Sequence, residues 1–326
     1  MSRPQVVVTN RAFPETLSLL ETRFEVLAPA GSEPLDGKGL RKAARDAWGI
    51  LAFMPDRIDE ALLDACPKLR IVACALKGFD NFDVEACARR GVWLTIVPDL
   101  LTEPTAELAI GLAISLCRHV LAADRHVRSG EFAGWRPSFY GRSLDGSRVA
   151  IVGCGRVGQA IARKLEGFSC EILMTDSDPH ANAVGRAVRV DLKSALDRAD
   201  FVFLAVPLVD SSVQMVDSVW LSQLPRGALL INPARGSVVN ESAIADALET
   251  GQLGGYAADV FEFEDWARPD RPLSIEPRLL ARSDLTLLTP HIGSAVEAVR
   301  REIELDAARN LIEAADGGRP HGAITR

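Results

Sequence analysis

A glycine-rich motif near the middle of the chain limits the possible folds most strongly. Gly153, Gly155 and Gly158 form a G-x-G-x-x-G pattern directly after the apolar run at 149–152, and a helix-like run follows at 159–165. A strand, a tight glycine turn and a helix in this order are typical of a parallel dinucleotide-binding sheet. The motif in this context therefore predicts an α/β fold, whereas the three glycines alone would indicate little.

The spacing around the motif also predicts a ligand. Gly153 permits the tight turn, Gly155 lets the backbone approach a pyrophosphate, and Gly158 lets the helix pack close to the strand. The next strand-like run ends at Asp176, 23 positions after Gly153 (176 − 153). A carboxylate there would bind the adenosine ribose hydroxyls and repel a 2′-phosphate. We therefore expect NAD as the cofactor; the alternative is a glycine-rich turn that binds nothing.

The alternation of apolar runs and amphipathic stretches predicts two domains. It occupies the first hundred residues and starts again at 147, which is typical of parallel sheets covered by helices. Between the two sets, an apolar-periodic segment begins at Pro104 and continues to about His126. It would form an inter-domain core helix, a dimer interface or both. A last helix is expected at about 295–315.

Composition and charge argue against several classes of protein. The 326 residues are 48% hydrophobic, yet no apolar run approaches the roughly 20 residues of a membrane span. The N-terminal apolar stretch is too short for a signal-peptide core, so we expect a cytoplasmic protein. A net charge of −7 argues against binding to nucleic acid or to an anionic membrane, which are themselves negatively charged. The six cysteines lack a C-x-x-C pair, which predicts reduced core thiols, and we expect no metal site.

Polar residues that follow strand-like runs are candidates for chemistry, since ligands bind at the carboxyl ends of parallel strands. Arg235 follows the apolar run at 228–231 and could hold an anion with its planar fork of donors, or lie on a surface loop. His291 comes after an apolar run and Pro290 and suits proton transfer near neutral pH. Glu264 is the candidate carboxylate that would orient its imidazole.

Two further stretches allow more than one interpretation. Lys77 and Gly78 follow the apolar run at 71–76, where Lys77 would present a cation at a strand end or be a solvated lysine. Trp135 and Tyr140 lie in a loop rich in proline and glycine. They could either be packing residues or form the wall of a pocket.

Together, the motifs resemble the NAD-dependent D-2-hydroxyacid dehydrogenase superfamily over nearly the whole chain. The pattern comprises the glycine motif, Asn-Pro-Ala-Arg-Gly at 232–236, Asp-Val-Phe-Glu at 259–262 and Pro-His-Ile-Gly at 290–293. Asp265-Trp266 follows Glu264 where hydroxyacid dehydrogenases usually have a proline. That replacement and Lys77 resemble the phosphonate (phosphite) dehydrogenases of this superfamily, as do the stretches 53–57, 75–83, 91–101, 129–132 and 256–268.

The resemblance implies two Rossmann-like domains with parallel sheets and an active site in the cleft between them. Residues 1–100 and 291–326 would form a discontinuous substrate-binding domain, and residues 101–290 would form the NAD-binding domain. The segment after Pro104 would join two copies of the chain into a homodimer.

The resemblance also implies the site residues by position. The catalytic trio would be Arg235, Glu264 and His291. The substrate contacts would be Met54, Lys77, Gly78, Trp135, Tyr140, Arg235 and Ser294. The cofactor contacts would be Lys77, Thr105, Gly153, Gly155, Arg156, Val157, Gly158, Asp176, Pro207, Ala234, Asp259 and His291.

The expected reaction is the oxidation of phosphite, a small dianion, to phosphate with reduction of NAD to NADH. Lys77 and Arg235 would bind the dianion and stabilise the growing charge, while His291 would take a proton from the attacking water or orient it. One alternative keeps the scaffold and is a D-2-hydroxyacid dehydrogenase or 2-oxoacid reductase, in which His291 shuttles the alcohol proton. The other is an NAD-sensing binding protein, similar to the transcriptional corepressors of the family.

Overall fold

The computed structural model describes residues 3–29, 31, 33 and 35–325, and its strand pairs form two parallel sheets. The α/β architecture predicted from the glycine motif is confirmed. In chain order the strands are β1 Gln5–Val8, β2 Glu25–Leu27, β3 Gly49–Ala52, β4 Ile71–Cys74, β5 Trp93–Thr95, β6 Arg148–Val152, β7 Glu171–Thr175, β8 Val188–Arg189, β9 Phe201–Leu204, β10 Ala228–Asn232, β11 Leu253–Ala258 and β12 Thr286–Leu288.

Helices separate most of these strands, as a parallel sheet requires. In chain order they are α1 Pro14–Glu21, α2 Gly37–Ala44, α3 Glu60–Ala65, α4 Val84–Arg89, α5 Thr102–Cys117, α6 Val120–Arg128, α7 Arg156–Leu165, α8 Leu192–Leu196, α9 Ser218–Leu221, α10 Glu241–Glu249, α11 Pro277–Ala281 and α12 Glu297–Ala315.

Several of the shorter helices begin at a side-chain cap. Asp36, Asp59 and Asp83 each accept a hydrogen bond from the amide three residues further on, at the start of α2, α3 and α4. Asp217 and Asn240 do the same for α9 and α10. These caps satisfy amides that have no partner inside the helix, so the polar residue before each helix determines where it begins.

The chain divides into two compact units, and the first comprises Met1–Leu101, Trp266–Pro269 and Ala295–Arg326. Its sheet has the strand order β2-β1-β3-β4-β5. Along β1, Val6 and Val8 pack in one core with α1 and α12, whereas Val7 packs in the core with α2, α3 and α4. Because successive side chains of a strand point to opposite faces, both faces of this sheet are buried.

The second unit comprises Thr102–Asp265 and Asp270–Ser294. Its sheet has the strand order β12-β11-β10-β9-β6-β7-β8, with the glycine motif after the central strand β6. Ile151 packs in a core with α5 and α7, and its neighbours Ala150 and Val152 pack in the core with α8, α9 and α10. The order reverses at β6, and a topological switch point of this kind is where doubly wound sheets bind ligands.

The unit boundaries differ from those expected at 100 and 290. Residues 291–294 pack in the second unit, whereas Leu101 and Trp266–Pro269 pack in the first. The first difference has a local cause, because the amides of His291, Ile292 and Gly293 all donate to Asp259. These bonds extend the second unit past β12.

The apolar segment after Pro104 is not one continuous helix. It breaks between α5 and α6 at His119, whose φ of 53° lies in the left-handed region. Left-handed dihedral angles cannot continue a right-handed helix, so the chain changes direction at this residue. Within the part of the chain that the structure describes, no single helix is long and apolar enough to cross a membrane; α5 and α6 meet that criterion only as a pair, bent by 63°.

Candidate functional site

The glycine motif adopts the conformation that a nucleotide-binding turn needs. Gly153 has a φ of 112°, and a Cβ on it would overlap the carbonyl oxygen of Ala205. A Cβ on Gly158 would overlap the carbonyl oxygen of Gly153, so α7 packs directly on the turn. By contrast, a Cβ on Gly155 would lie in open space, on the side from which a pyrophosphate can approach the N-terminus of α7. The turn therefore fits a dinucleotide.

Asp176 lies directly after β7, and its carboxylate contacts the glycine turn that follows β6. Its Oδ2 accepts a 2.6 Å hydrogen bond from the amide of Cys154, and its Oδ1 accepts a 2.9 Å bond from the amide of Asp178. Arg189 donates to the carbonyl oxygens of Asp176 and Asp178 at 3.0 and 2.9 Å. The carboxylate is thus held at the edge of the motif, where each of its oxygens retains a second lone pair for a ribose hydroxyl.

The other predicted cofactor contacts of this unit follow its strands or begin its helices. Arg156 and Val157 form the start of α7, Pro207 follows β9 and Ala234 follows β10. Thr105 lies in the first turns of α5. The carboxyl ends of parallel strands share one edge of a sheet, so these positions agree with a ligand at that edge. Their contacts with a cofactor remain predictions.

The structure brings Glu264 and His291 into direct contact. Nδ1 of His291 lies 2.8 Å from Oε2 of Glu264, and both side chains are about a quarter exposed. The other carboxylate oxygen, Oε1, accepts a 2.8 Å bond from the amide of Phe261. Glu264 is therefore fixed at both oxygens. Because its Oε2 accepts from Nδ1–H, Nε2 is the ring nitrogen left to exchange a proton with a ligand.

The backbone around His291 is held by a buried carboxylate. His291 has a φ of 55°, a conformation that costs energy for a residue with a Cβ. Asp259 accepts hydrogen bonds from the Thr289 hydroxyl at 2.6 Å and from the amides of Ile292 and Gly293 at 2.8 and 2.7 Å. Burial raises the pKa of Asp259, although these bonds oppose the rise. Asp259 thus holds residues 289–293, the His291 loop; its predicted cofactor contact remains a prediction.

Arg235 lies in a turn at 233–238, the Arg235 turn, which packs on residues 261–265, the Glu264 turn. A Cβ on Gly236 would overlap the backbone of Phe261, so only glycine allows this approach. Asn232 anchors the turn, since its Nδ2 donates 3.0 Å to the carbonyl of Arg235. Arg235 is half-buried, and its Nη1 donates to the Ala234 carbonyl at 2.8 Å. The predicted trio therefore lies on three connected segments of the second unit.

The predicted substrate residues Met54, Lys77 and Gly78 belong to the first unit, where they follow β3 and β4. Asn81 joins the loops that carry them, because its Nδ2 donates 3.5 Å to the carbonyl of Met54. Its Oδ1 accepts a 3.1 Å bond from the amide of Ala267. Asn81 was not among the predicted site residues; its position four residues after Lys77, in a loop after a strand, was the available signal.

Ser294, Trp135 and Tyr140 belong to the second unit. Ser294 is its last residue, three positions after His291. Trp135 and Tyr140 are 78% and 75% exposed, so most of each side chain lies on the surface of the part of the chain that the structure describes. Their predicted substrate contacts remain predictions. In the described ranges 3–29, 31, 33 and 35–325, no group of three or more His, Cys, Asp or Glu side chains is arranged to hold a metal ion.

Comparison with known proteins identifies the class to which this fold and site belong. Residues 110–293 match the family model of the D-isomer specific 2-hydroxyacid dehydrogenase, NAD binding domain. The match covers more than half of the chain, and the chain therefore belongs to this family of nicotinamide-dependent oxidoreductases. It is an enzyme of that family, and its second unit carries the NAD-binding domain.

The curated relatives narrow the comparison further. The chain is 36% identical over 333 residues to the glyoxylate reductase of Pyrococcus horikoshii, covering 99% of this chain and 96% of the relative. It is 38% identical over 319 residues to the glyoxylate reductase of Pyrococcus furiosus, covering 95% and 92%. These relatives carry the name of a 2-oxoacid reductase. The expected likeness to phosphonate dehydrogenases is therefore not supported by them, and the 2-oxoacid alternative fits them better.

Solved structures of similar proteins have the same fold over nearly all of the chain. The TT0316 protein of Thermus thermophilus superposes with a TM-score of 0.88 at 30% identity, covering 98% of this chain and all of that one. The NADPH-dependent glyoxylate/hydroxypyruvate reductase of Sinorhizobium meliloti, solved with NADP and malonate, superposes with a TM-score of 0.85 at 31% identity, covering 99% and 97%.

Proposed function

We propose that this enzyme interconverts a small 2-oxoacid, of the size of glyoxylate, and the corresponding 2-hydroxyacid with NADH and NAD. The observation that carries the proposal is the 2.8 Å hydrogen bond between Nδ1 of His291 and Glu264, on segments connected to the Arg235 turn. A proton donor and an anion-binding guanidinium are the two groups that carbonyl reduction of an oxoacid needs from the protein. The glyoxylate reductases among the relatives support the substrate class.

In the reductive direction, each residue of the trio has a distinct role. NADH, when bound, would supply the hydride that reduces C2 of the oxoacid. Arg235 would hold the substrate carboxylate with its planar fork of donors. Nε2 of His291 would donate a proton to the carbonyl oxygen as it becomes an alcohol, and Glu264 would orient the imidazole and stabilise its protonated form.

The residues around the glycine motif would hold the cofactor, with a preference for NAD. The pyrophosphate would lie against the amides at the N-terminus of α7, beside Gly155. The carboxylate of Asp176 would accept hydrogen bonds from the ribose hydroxyls and repel a 2′-phosphate. Arg189 is already engaged with the carbonyl oxygens of Asp176 and Asp178, which leaves it poorly oriented to bind that phosphate.

A second candidate reaction is the oxidation of phosphite by NAD. Two features of the chain favour it: Lys77 in the loop after β4, and Asp265-Trp266 in place of the usual proline after Glu264. In this reaction the hydride leaves the P–H bond for the nicotinamide and the oxygen of water bonds to phosphorus. His291 would take the proton of that water, and Arg235 would bind the dianion.

We also propose that the chain acts as a homodimer in the cytoplasm. Apolar side chains on α6 and in the loop after it are exposed, namely those of Val120, Leu121, Val127, Phe132 and Trp135. Exposed apolar groups concentrated in one segment favour an interface between proteins. The six cysteines are buried and unpaired, which fits a reducing compartment. Light scattering at several concentrations tests the dimer, and a monomer at all of them would contradict it.

A substrate panel tests the reaction. The purified protein is mixed with NADH and glyoxylate, hydroxypyruvate or pyruvate, and separately with NAD and phosphite, while NADH absorbance and phosphate release are followed. We expect NADH consumption with at least one oxoacid and its loss in His291→Ala. NADH formation and phosphate release with phosphite alone would replace the main proposal by the second candidate. Cofactor binding without turnover of any compound would contradict both.

A further inference from the structure

We propose that Asp265 is a positioning residue that fixes the Arg235 turn to the Glu264 turn, and so sets the distance between the anion-binding group and the proton-transfer pair. The proposal rests on the proposed function, because it assigns roles to Arg235 and Glu264. It concerns the residue next to Glu264 that distinguishes this chain from the usual sequence pattern of the family.

The first observation is a hydrogen bond between the two turns. Oδ2 of Asp265 accepts a 2.6 Å bond from the amide of Ser237. Ser237 lies two residues after Arg235, and Asp265 lies directly after Glu264. Asp265 and Ser237 are 4% and 3% exposed. A short bond from a buried amide to a carboxylate is among the stronger hydrogen bonds in proteins.

The second observation is the close approach of the two backbones at the same place. Gly236 is the residue between Arg235 and Ser237, and a Cβ on it would overlap the carbonyl group of Phe261 and the amide of Glu262. The Asp265 bond and the Gly236 contact therefore join the turns at two adjacent points. Two such points restrict both the separation and the relative rotation of the segments, whereas one would allow a hinge motion.

A third observation shows what fixes the Glu264 turn to the rest of its unit. Oε1 of Glu241, at the N-terminus of α10, accepts a 2.9 Å bond from the amide of Glu262. Its Oε2 accepts a 2.9 Å bond from the amide of Glu276. Glu241 thus fixes the Glu264 turn to helix α10, and Asp265 in turn fixes the Arg235 turn to the Glu264 turn.

The arrangement matters for catalysis because the acid group and the reacting carbon of a small substrate must contact their protein groups at the same time. If Arg235 holds the acid group of the substrate, the reacting atom lies one bond length from the anion, and His291 must reach it. Displacements of about 1 Å at such sites cost roughly 100-fold in rate. A carboxylate buried between the two turns is costly unless it is hydrogen-bonded, which agrees with a precise structural role for Asp265.

The test uses the full-length enzyme and the substrate that the panel identifies. We expect Asp265→Ala to raise the KM for that substrate and to lower kcat, each by roughly 10-fold or more, while the KM for the nicotinamide cofactor stays within about twofold. Asp265→Asn keeps an oxygen that can accept the Ser237 amide, and should recover most of the loss. A matched control is Asp217→Ala, which removes another carboxylate that accepts from a backbone amide, that of Trp220 at 2.8 Å.

The control distinguishes positioning from stability. If a variant only unfolds more easily, part of the protein is inactive, so the apparent kcat falls while the KM for the substrate stays unchanged. We expect this result for Asp217→Ala. That result for Asp265→Ala would overturn the proposal, and so would an Asn variant as impaired as the Ala variant. If Asp265→Ala does not fold, Asp265→Glu, one methylene longer, separates the turns and should raise the KM for the substrate; a folded Asp265→Glu with an unchanged KM would also overturn it.

Failure of the proposed function can be told apart from failure of this inference. In the first case the wild-type enzyme turns over neither oxoacids nor phosphite. The positioning role is then measured by calorimetry, with oxalate as an anionic probe and NADH bound. A loss of oxalate affinity of 10-fold or more in Asp265→Ala, recovered in Asp265→Asn, supports the inference, and equal affinities contradict it.

Discussion

His291 and Glu264, which are 27 positions apart in the sequence, meet with Nδ1 of the imidazole 2.8 Å from Oε2 of the carboxylate. The imidazole is oriented by this bond, and the backbone of His291, at a φ of 55°, is held by the bonds from its loop to Asp259. A left-handed residue with a Cβ persists only where its surroundings determine it strongly. The position of His291 is therefore determined independently at the backbone and at the ring.

Removal of the imidazole should abolish most of the activity. We expect His291→Ala to lower kcat by about 10²–10⁴-fold, the usual contribution of general acid–base catalysis. Glu264→Gln should have a smaller effect, because the amide oxygen can still accept from Nδ1 but no longer stabilises the protonated ring. Steady-state kinetics with parallel thermal melting measures both, and near-normal turnover by a folded His291→Ala variant would contradict the assignment.

Asp176 should control the choice between NAD and NADP. Asp176→Asn keeps an acceptor for the Cys154 amide and removes the charge, so we expect the ratio of kcat/KM for NADP to that for NAD to rise at least about tenfold. Asp176→Ala should shift the ratio in the same direction but also weaken NAD binding, because the Cys154 amide loses its partner. Asp178→Ala, two positions further on, is the control. An unchanged ratio in both Asp176 variants would refute the role.

Asp56 should make the first unit less stable as the pH rises. Burial raises the pKa of Asp56 from 3.8 to about 6, although bonds from the Thr9 hydroxyl and the Phe53 amide favour the ionised form. Below pH 3.8 the carboxyl is protonated in both states, and its contribution is lost as the pH rises through 6. Asp56→Asn should therefore raise the free energy of unfolding at pH 8 by up to about 3 kcal/mol.

Denaturant unfolding from pH 3.5 to 8 measures this difference. We expect the two curves of stability against pH to converge at the acidic end and to separate between pH 4 and 7, with the Asn variant above the wild type. A constant difference across the whole range would mean that the ionisation of Asp56 is not its cause.

His321 should stabilise the C-terminal segment more at acidic than at alkaline pH. Its Nδ1 lies 3.0 Å from Glu313 and its Nε2 lies 3.1 Å from Asp306, both in α12. Partial burial lowers the pKa of His321, but the bonds to Asp306 and Glu313 outweigh it and the pKa is raised. The stabilisation is therefore complete below the ordinary pKa of 6.5 and is lost as the pH rises through the higher value in the folded protein.

Hydrogen exchange of the segment that His321 holds provides the measurement. The amide of Ile324 donates to the carbonyl of Leu94, and the amide of Leu94 donates to the Thr325 hydroxyl, so the protection of these two amides reports how firmly the segment is docked. We expect His321→Gln to lose protection at pH 6 and to resemble the wild type at pH 9. Equal effects at both pH values would exclude a charged imidazole as the cause.

Much of the second unit could be predicted because the signals for it are local. The turn at Gly153 needs a positive φ, the approach at Gly155 needs an absent side chain, and Asp176 follows the next strand at a regular spacing. All three requirements act within one βαβ unit, so the order of residues is sufficient to indicate them. The same cannot be said of the segment from Pro104 to His126, where apolar periodicity predicted one helix and the left-handed His119 divides it.

By itself, the sequence determined the α/β class, the dinucleotide-binding turn and the identity of the three candidate groups Arg235, Glu264 and His291, because each is indicated by residues close to it in the chain. The tertiary structure alone decided how these groups are held. The bonds from Ser237 to Asp265 and from the His291 loop to Asp259 join segments about 30 positions apart, and only the packing of parallel strands brings such segments together. In the sequence, Asp265 indicated only the substrate class. The tertiary structure shows that it is a buried residue that connects two turns of the site.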